Sequence, residues 1–282
     1  MIQKSYDNSA SLYLIPTPIG NLDDITIRSL NTLKFVDAIL CEDTRTTGIL
    51  LNNYGIKKQL ISCHEYNEDK IIDNVINMLK SGKNLGLVTD QGTPIISDPG
   101  FVIVKGVVEK GFNVISLPGA TAFVPALTVS TIKSAPFLFY GFLNSKSSKQ
   151  ITELNRLKIL PYTIIFYESV HRIKDTLQNM LSVFGDRDIA LCRELSKIHE
   201  EICRDKISKV IDLVDNMKGE FVIIVDGNND IIDYSNVDVV SHVSMYVEDG
   251  MSEKEAIKLV AKERNVAKSV IYSEYHRKKE NI

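Results

Sequence analysis

Short apolar runs alternate with amphipathic stretches along most of the chain. Runs of four or five apolar residues closed by Gly, Pro, Asn or Asp predict buried strands, and apolar residues spaced by three and four predict helices between them. The first five strands are predicted at residues 12–15, 38–41, 60–63, 85–88 and 113–117. Strands that alternate with helices in this way favour a mainly parallel sheet covered on both faces.

After residue 130 the predicted strands lie closer together in sequence, at residues 137–142, 163–167, 188–192, 200–203 and 220–225. Closely spaced strands favour antiparallel pairing, so we expect the second sheet to be mixed. The chain is therefore predicted to be an α/β protein in three parts. These are an N-terminal αβ domain at 1–130, a second αβ domain at 131–228, and a linker with a basic helical module at 229–282.

Composition and charge restrict the functional class. The 282 residues are 44% hydrophobic and 24% charged, and the net charge of -3 provides no global field to collect nucleic acid. No stretch approaches the roughly 20 apolar residues of a membrane span, and the polar first residues, expected to be disordered, lack a signal-peptide core. The four cysteines and five histidines show no metal-ligand spacing, so we expect reduced thiols, a cytoplasmic protein and no metal site.

The C-terminal tail differs from the rest of the chain in charge. From residue 251 onwards, eight Lys or Arg stand against five Glu, a local excess of 8 − 5 = +3. Ser252 and Glu255 form a capping-box start, and two short helices joined near Asn265 resemble a helix-turn-helix. Two interpretations remain open here, an RNA contact or a helical appendage with a solvated basic face.

Loops of fixed shape follow several predicted strands. The sequence LGLVTDQGTPIISDPG at 85–100 is the clearest, because Gly92 permits unusual backbone angles and Pro94 stiffens the loop. Open α/β sheets bind ligands at such strand ends, although a plain strand-to-helix turn would have the same spacing. The sequence contains no Gly-x-Gly, P-loop or nucleophile triad. The loops therefore suit group transfer from a bound cofactor, in which positioning of the reactants does most of the work.

Five motifs in order carry a family resemblance: LYLIPTPIGNLDDIT, CEDTRTTG, TDQGTPIISDPG, LPGATA and FYESVHR. With these motifs the chain resembles the tetrapyrrole methylase superfamily of S-adenosylmethionine-dependent enzymes, whose members lack the usual Gly-rich cofactor loop. Within it, the chain is similar to a branch that methylates the 2′-hydroxyl of a cytidine in the decoding region of 16S rRNA, in the small ribosomal subunit. Gln91 departs from the pattern, which has a small residue there.

The resemblance implies two αβ domains with S-adenosylmethionine in the cleft between them, and a homodimer. The residues that match the family's cofactor-binding positions are Asp90, Gly92, Thr93, Pro94, Ala120, Thr121, Phe166, Tyr167, Leu195 and Val222. Those expected to face or hold the RNA substrate are Pro16, Asn21, Arg45, Lys146 and Arg172. For the two basic residues Lys146 and Arg172, a solvated loop charge is the alternative to a phosphate contact.

Methyl transfer to a ribose hydroxyl also needs a proton acceptor. Asp43 and Glu42 are the candidates, and the alternative for Asp43 is a helix N-cap paired with Arg45. Two other functions remain open, a porphyrin or corrin methyltransferase and a non-catalytic RNA-binding module. The CEDTR segment and the basic tail favour the rRNA methyltransferase.

Overall fold

The computed structural model describes residues 2–5, 7–228 and 237–279. Contacts within the chain separate two compact units, which meet in sequence between Asn228 and Asn229. The first unit contains both predicted sheets, and the second contains the C-terminal helices.

The first sheet is five-stranded and wholly parallel, with the order β3-β2-β4-β1-β5. Its strands are β1 (Ser11–Leu14), β2 (Ala38–Cys41), β3 (Gln59–Ser62), β4 (Leu85–Val88) and β5 (Asn113–Ser116). The helices between and after them are α1 (Ile27–Phe35), α2 (Thr44–Asn53), α3 (Glu68–Lys80), α4 (Phe101–Glu109) and α5 (Phe123–Val129). Every residue of β2 and β4 is buried, because helices cover both faces of the sheet.

The strand order opens a crevice between β2 and β4. The chain leaves β2 towards β3 on one side of the sheet, whereas it leaves β4 towards β5 on the other. Neighbouring strands whose connections diverge leave a gap at their carboxyl ends, which is where open α/β sheets bind ligands. Glu42 follows β2 and Asp90 follows β4, so both carboxylates lie at this crevice.

The second sheet is mixed, with the order β6-β7-β10-β8-β9. Only β6 and β7 pair in parallel, and the other three pairings are antiparallel. Its elements are β6 (Phe137–Phe142), α6 (Ser147–Leu157), β7 (Thr163–Ser169), α7 (Ile173–Phe184), β8 (Asp188–Arg193), β9 (Glu201–Lys206), α8 (Ile207–Ile211) and β10 (Glu220–Val225). The predicted fold class, with one parallel and one mixed sheet followed by helices, is confirmed.

The C-terminal unit consists, in its described part, of α9 (Val239–Glu248), α10 (Glu253–Glu263) and α11 (Lys268–Lys279). Ser252 caps α10 as its sequence predicts, and Val243, Ile257 and Val260 lie in a small core shared by the helices. The start of the predicted linker, residues 229–236, lies outside the described residues.

The described N-terminal residues are ordered along the edge of the first sheet, which the polar composition did not predict. The Gln3 carboxamide donates to the Val114 carbonyl oxygen (2.8 Å) and accepts from the Val114 amide (3.0 Å). One side chain thus supplies both hydrogen bonds that a neighbouring strand would give to the Val114 backbone in β5.

Candidate active site

A cavity of about 270 Å³ separates the loops of the first sheet from the strands of the second. Its loop wall consists of Ile19 and residues from 91–98 and 121–122, and its strand wall consists of Phe142 and residues from 167–169, 192–197 and 220–222. Small-molecule sites typically enclose about 300–1,000 Å³, so the cavity suits one compact ligand.

Hydrogen bonds between three loops hold the loop wall together. Thr17 and Gly92 exchange two backbone hydrogen bonds, of 2.9 and 3.1 Å, and the Thr93 hydroxyl donates to the Ala120 carbonyl oxygen (2.8 Å). Gly92 has a φ of +83°, a conformation that costs other residues free energy. The glycine predicted from sequence therefore serves to shape the loop where it meets the segment after β1.

A buried carboxylate fixes the far end of the same loop. Glu68, on α3, accepts hydrogen bonds from the backbone amides of Gly100 and Val102, both of 2.9 Å, at the start of α4. Between these anchors Ile95 and Ser97 have φ values of +76° and +67°. Positive φ is unusual for a β-branched residue and is typical of functional loops whose surroundings enforce it.

The carboxylates near the loop wall have raised pKa values. Asp98 lines the cavity, and its pKa is raised to about 7, mainly by burial and further by the charges of Glu42 and Asp90. Burial is also the main reason that the pKa values of Glu42 and Asp90 are raised. None of the three forms an ion pair among the described residues, so a bound cation would stabilise their ionised forms.

The two predicted proton acceptors have different surroundings. Asp43 accepts a hydrogen bond from the Arg45 amide (2.7 Å) as the N-cap of α2, and it also forms an ion pair with the Arg45 guanidinium (2.7 Å). Hydrogen bonds from Arg45 lower the Asp43 pKa to about 2. A carboxylate with so low a pKa is a weak base, whereas the raised pKa of Glu42 suits proton transfer better.

The carboxylates of the strand wall, by contrast, are paired. Glu168 is 2% exposed and accepts hydrogen bonds from the Arg172 guanidinium (2.8 Å), the Thr176 hydroxyl (2.7 Å) and the Ser169 amide (2.7 Å). The guanidinium also donates a hydrogen bond to the Leu143 carbonyl oxygen (3.3 Å). Arg172 is therefore held in the turn between β7 and α7.

A second cation, Lys197, lines the cavity. Lys197 Nζ lies 2.9 Å from a Glu194 carboxylate oxygen and 2.8 Å from one of Glu220. Burial disfavours the lysine charge, but the hydrogen bonds to Glu220 and Glu194 outweigh it and raise the Lys197 pKa. With its amide oriented to satisfy both partners, Gln91 donates to Glu220 and to the Ile19 carbonyl oxygen, each at 3.2 Å. These contacts join the loop wall to the strand wall.

Tyr167 joins the walls at another point. Its hydroxyl accepts a hydrogen bond from the Phe123 amide (3.2 Å), and its ring packs edge-on against Phe139 and Phe142, with centroids 5.0 and 5.6 Å away. Burial raises the Tyr167 pKa, so the hydroxyl stays protonated. Together with Leu195 and Val222, Tyr167 gives the strand wall an apolar surface suited to a heteroaromatic ring.

The structure brings six of the ten residues predicted to bind the cofactor to the cavity surface: Gly92, Thr93, Thr121, Tyr167, Leu195 and Val222. Asp90, Pro94 and Ala120 lie beside it in the same loops and do not line it. Phe166 is placed differently, since it lies in the core on the opposite face of β7 from Tyr167 and is 0% exposed. Alternation along a strand forbids both aromatic residues from facing one ligand.

None of the five residues predicted to face the substrate lines the cavity. Pro16 is buried and packs against Gly119, where an added Cβ would lie 2.4 Å from the proline Cβ. Asn21 caps a short 3₁₀ helix at Leu22–Asp24. Arg45 is paired with Asp43, and Lys146 is exposed at the N-cap of α6. The exposed residues Asn21, Arg45 and Lys146 are placed to contact a large substrate outside the cavity, whereas the buried Pro16 is not.

Polar residues of the cavity that were not assigned a role from sequence include Asp98, Lys197 and Glu220. Asp98 belongs to the quoted loop motif, so its polar position between a strand and a helix was an available signal. The other residues reach the cavity from segments that are far apart in sequence, and no local pattern in the sequence predicts that these segments meet. Among the described residues no group of His, Cys, Asp and Glu could hold a metal ion, and no helix is long and apolar enough to cross a membrane.

Comparison with known proteins supplies independent information. A family model described as Tetrapyrrole (Corrin/Porphyrin) Methylases matches residues 11–211. A Bacillus subtilis (strain 168) protein called ribosomal RNA small subunit methyltransferase I is 48% identical over 273 residues, which are 94% of each chain. In a solved structure, Thermus thermophilus uroporphyrin-III C-methyltransferase complexed with S-adenosylhomocysteine is 16% identical, with a TM-score of 0.57 over 78% of this chain and 98% of its own. A diphthine synthase structure is 12% identical, with a TM-score of 0.60 over 77% and 90% of the two chains.

Proposed function

Because the chain belongs to the tetrapyrrole methylase family, we propose that it transfers a methyl group from S-adenosylmethionine to the 2′-hydroxyl of a cytidine in the decoding region of 16S rRNA. The observation that carries this proposal is the near full-length similarity to a small-subunit rRNA methyltransferase, together with a cavity lined in part by residues of the five sequence motifs. The protein would act in the cytoplasm on the small ribosomal subunit.

The cavity residues fit S-adenosylmethionine chemically. This cofactor supplies an electrophilic methyl group on a positively charged sulfur, next to a methionine ammonium. Asp98 is a half-buried carboxylate of the loop wall without an ion-pair partner among the described residues, so it would balance positive charge of the donor. Tyr167, Leu195 and Val222 would cover the apolar adenine. The positive φ of Gly92 sets the loop in the shape that brings these groups together.

Glu42 is the proposed proton acceptor. It lies beyond β2 at the crevice next to Asp90, whose negative charge, after burial, is the next largest influence raising the Glu42 pKa. A base with a raised pKa gains more from accepting a proton as the ribose oxygen attacks the methyl carbon. Asp43 would orient the start of α2, and Arg45, exposed beside it, would contact an RNA phosphate.

Radiolabelled S-adenosylmethionine incubated with the protein and either 30S subunits or uroporphyrinogen tests the proposal. We expect label only in 16S rRNA, at one cytidine whose 3′ phosphodiester bond becomes resistant to alkali, as 2′-O-methylation requires. Label in the porphyrinogen would favour a tetrapyrrole methyltransferase. RNA binding with no label in either acceptor would favour a non-catalytic module.

We also propose that the C-terminal unit adds RNA affinity through its exposed lysines. Lys254, Lys258, Lys262 and Lys268 are exposed on α10 and at the start of α11. A protein truncated after Gly227 should bind S-adenosylmethionine normally but methylate 30S subunits poorly and with a weaker salt dependence. Each lost phosphate contact should reduce the slope of log affinity against log salt by about 0.7–0.9. Equal activity and equal slopes would show that the unit does not contact RNA.

The protein is proposed to be a homodimer. Phe137, on the edge strand β6 of the second sheet, and Tyr162, directly before the neighbouring strand β7, are each 43% exposed. Exposed aromatic residues at a sheet edge are candidates for a symmetric contact. Light scattering at micromolar concentration should give twice the chain mass of 31.6 kDa, and a monomer mass would contradict the proposal.

A further inference from the structure

His64 lies next to the proposed proton acceptor through the pairing of β2 with β3. The parallel register places Cys41 opposite Ser62, and the Cys63 amide extends the ladder by donating to the Cys41 carbonyl oxygen (2.8 Å). Glu42 and His64 are thus the residues at which the chain leaves two neighbouring strands, at the same edge of the sheet.

The His64 side chain has an enclosed nitrogen without a hydrogen bond. Nδ1 is buried and has no partner within the described residues. The backbone of the residue is held in place, because the Asn67 carboxamide accepts from the His64 amide (2.8 Å) and donates to the Ser62 carbonyl oxygen (3.1 Å). A buried polar atom left unpaired costs about 1–3 kcal/mol, so its retention on a fixed turn indicates a use outside the resting fold.

His64 differs from the other charged or titratable side chains around Glu42 in its effect on that carboxylate. Besides the effect of burial, Asp90 and Asp43 raise the Glu42 pKa, and Asp98 interacts with the same carboxylate. Two influences lower the Glu42 pKa: a hydrogen bond from the Asp90 backbone and the electrostatic effect of the neighbouring His64 imidazole. Arg45, the nearby permanent cation, is paired with Asp43.

We propose that His64 is a positioning residue that receives the substrate proton from Glu42, an inference that rests on the proposed methyl transfer to a ribose hydroxyl. As the oxygen–carbon bond forms and the carbon–sulfur bond breaks, the hydroxyl proton moves to the Glu42 carboxylate. It then passes to His64, which releases it to water, so the Glu42 carboxylate is restored for the next turnover. The unpartnered Nδ1 accepts this proton without breaking a hydrogen bond of the fold.

The test compares single-turnover methylation of 30S subunits by the full chain and its variants His64→Leu, His64→Asn and His199→Leu between pH 6 and 9. His199 is an exposed histidine outside the cavity and serves as the matched control. We expect His64→Leu to lower the rate about 10–100-fold at pH 7, within the range of general acid–base effects. The loss should shrink towards pH 9, where solvent removes the proton. Affinity for S-adenosylmethionine and thermal stability should match the control.

A Glu42→Gln background separates this role from a structural one. If His64 acts through Glu42, adding His64→Leu to that variant should cause no further loss, because coupled residues are not additive. His64→Asn keeps a small polar group on the turn and guards against misfolding of the leucine variant. Full activity with an unchanged pH profile in His64→Asn, or additive losses in the double variant, would overturn the inference alone. A wild-type protein that labels no 30S RNA would overturn the proposed function and this inference with it.

Discussion

The carboxylates on the two sides of the cavity differ in whether they form ion pairs. On the strand wall, Glu168 is paired with Arg172, while Glu194 and Glu220 share Lys197. On the side of the loop wall, Asp98 and its neighbours Glu42 and Asp90 form no ion pair among the described residues, and their pKa values are raised. Cations of the protein itself neutralise the carboxylates of the strand wall. The carboxylates on the side of the loop wall have no such partner in the part of the chain that the structure describes, so a positively charged ligand could neutralise them.

This difference separates stability from chemistry within one cavity. A paired, buried carboxylate stabilises the fold as long as its partner remains, and it has little freedom to take part in a reaction. The surroundings of an unpaired carboxylate with a raised pKa destabilise its ionised form. Such a group can accept a proton or balance the charge of a bound cation. Substitutions on the loop side should therefore change turnover and binding, and substitutions on the strand side should change the free energy of unfolding.

The largest effect is expected for Glu42→Gln. Loss of a proton acceptor should lower the methylation rate about 10²–10⁴-fold, while cofactor affinity and stability stay near those of the wild type. Single-turnover labelling, calorimetry and urea unfolding measure the three quantities. A full rate in this variant would remove Glu42 from the reaction and weaken the contrast between the walls.

Glu168→Gln probes the other wall. Breaking a buried ion pair by removing one partner costs about 3–5 kcal/mol, because Arg172 is left without its counter-charge. Urea unfolding should show a loss of this size in the first unit. The methylation rate of the protein that remains folded should stay within a few-fold of wild type. Unchanged stability would mean that the Glu168–Arg172 pair contributes nothing to the stability of the fold.

The walls should also differ in pH dependence. The Asp98 pKa is near 7 in the ligand-free protein, and a bound cation would lower it, so binding at acidic pH must first displace a proton. Affinity for S-adenosylmethionine should fall as the pH drops through 7, by about tenfold between pH 8 and pH 6. Calorimetry on Asp98→Asn should give weaker binding that no longer varies over this range. The same slope in that variant would assign the titration to another group.

The smallest effect is expected at the contact between the walls. Lys197→Met removes the cation shared by Glu194 and Glu220, but Glu220 is largely exposed and solvent would screen much of the remaining repulsion. We expect a loss of about 1 kcal/mol in urea unfolding and at most a several-fold change in cofactor affinity. Methylation of bound substrate should be unaffected, which kcat at saturating cofactor would show.

The sheets could be predicted from sequence because their signals are local. Apolar runs such as residues 85–88 and 220–225 have no other stable placement than the interior, and both were found at the observed bounds. The order β3-β2-β4-β1-β5 could not be predicted from spacing, since it depends on which strands pair across helices. β9 extends to Lys206 instead of ending at Cys203, because pairing with β8 continues through charged residues that carry no strand signal.

The site was less predictable, for a related reason. Gly92 and Thr93 belong to one conspicuous loop, whereas Glu194 and Lys197 reach the cavity only through the turn between β8 and β9. Phe166 and Tyr167 are adjacent in sequence, and nothing local indicates which of the two faces the cavity. Strand pairing decides this, by placing Tyr167 beside Val222 and Phe166 beside the core residue Ile223.

The amide of Gln3 on β5 has a consequence for the behaviour of the protein in concentrated solution. An uncovered edge strand offers its backbone to any other chain, and β5 would do so if the segment that carries Gln3 were detached. This cover depends on one side chain and on a few hydrogen bonds from Asn113. Proteolytic removal of the first residues would therefore leave the cavity intact but expose the unpaired edge of β5 to other chains. Self-association, and not loss of catalysis, is then the first failure to expect in ageing preparations.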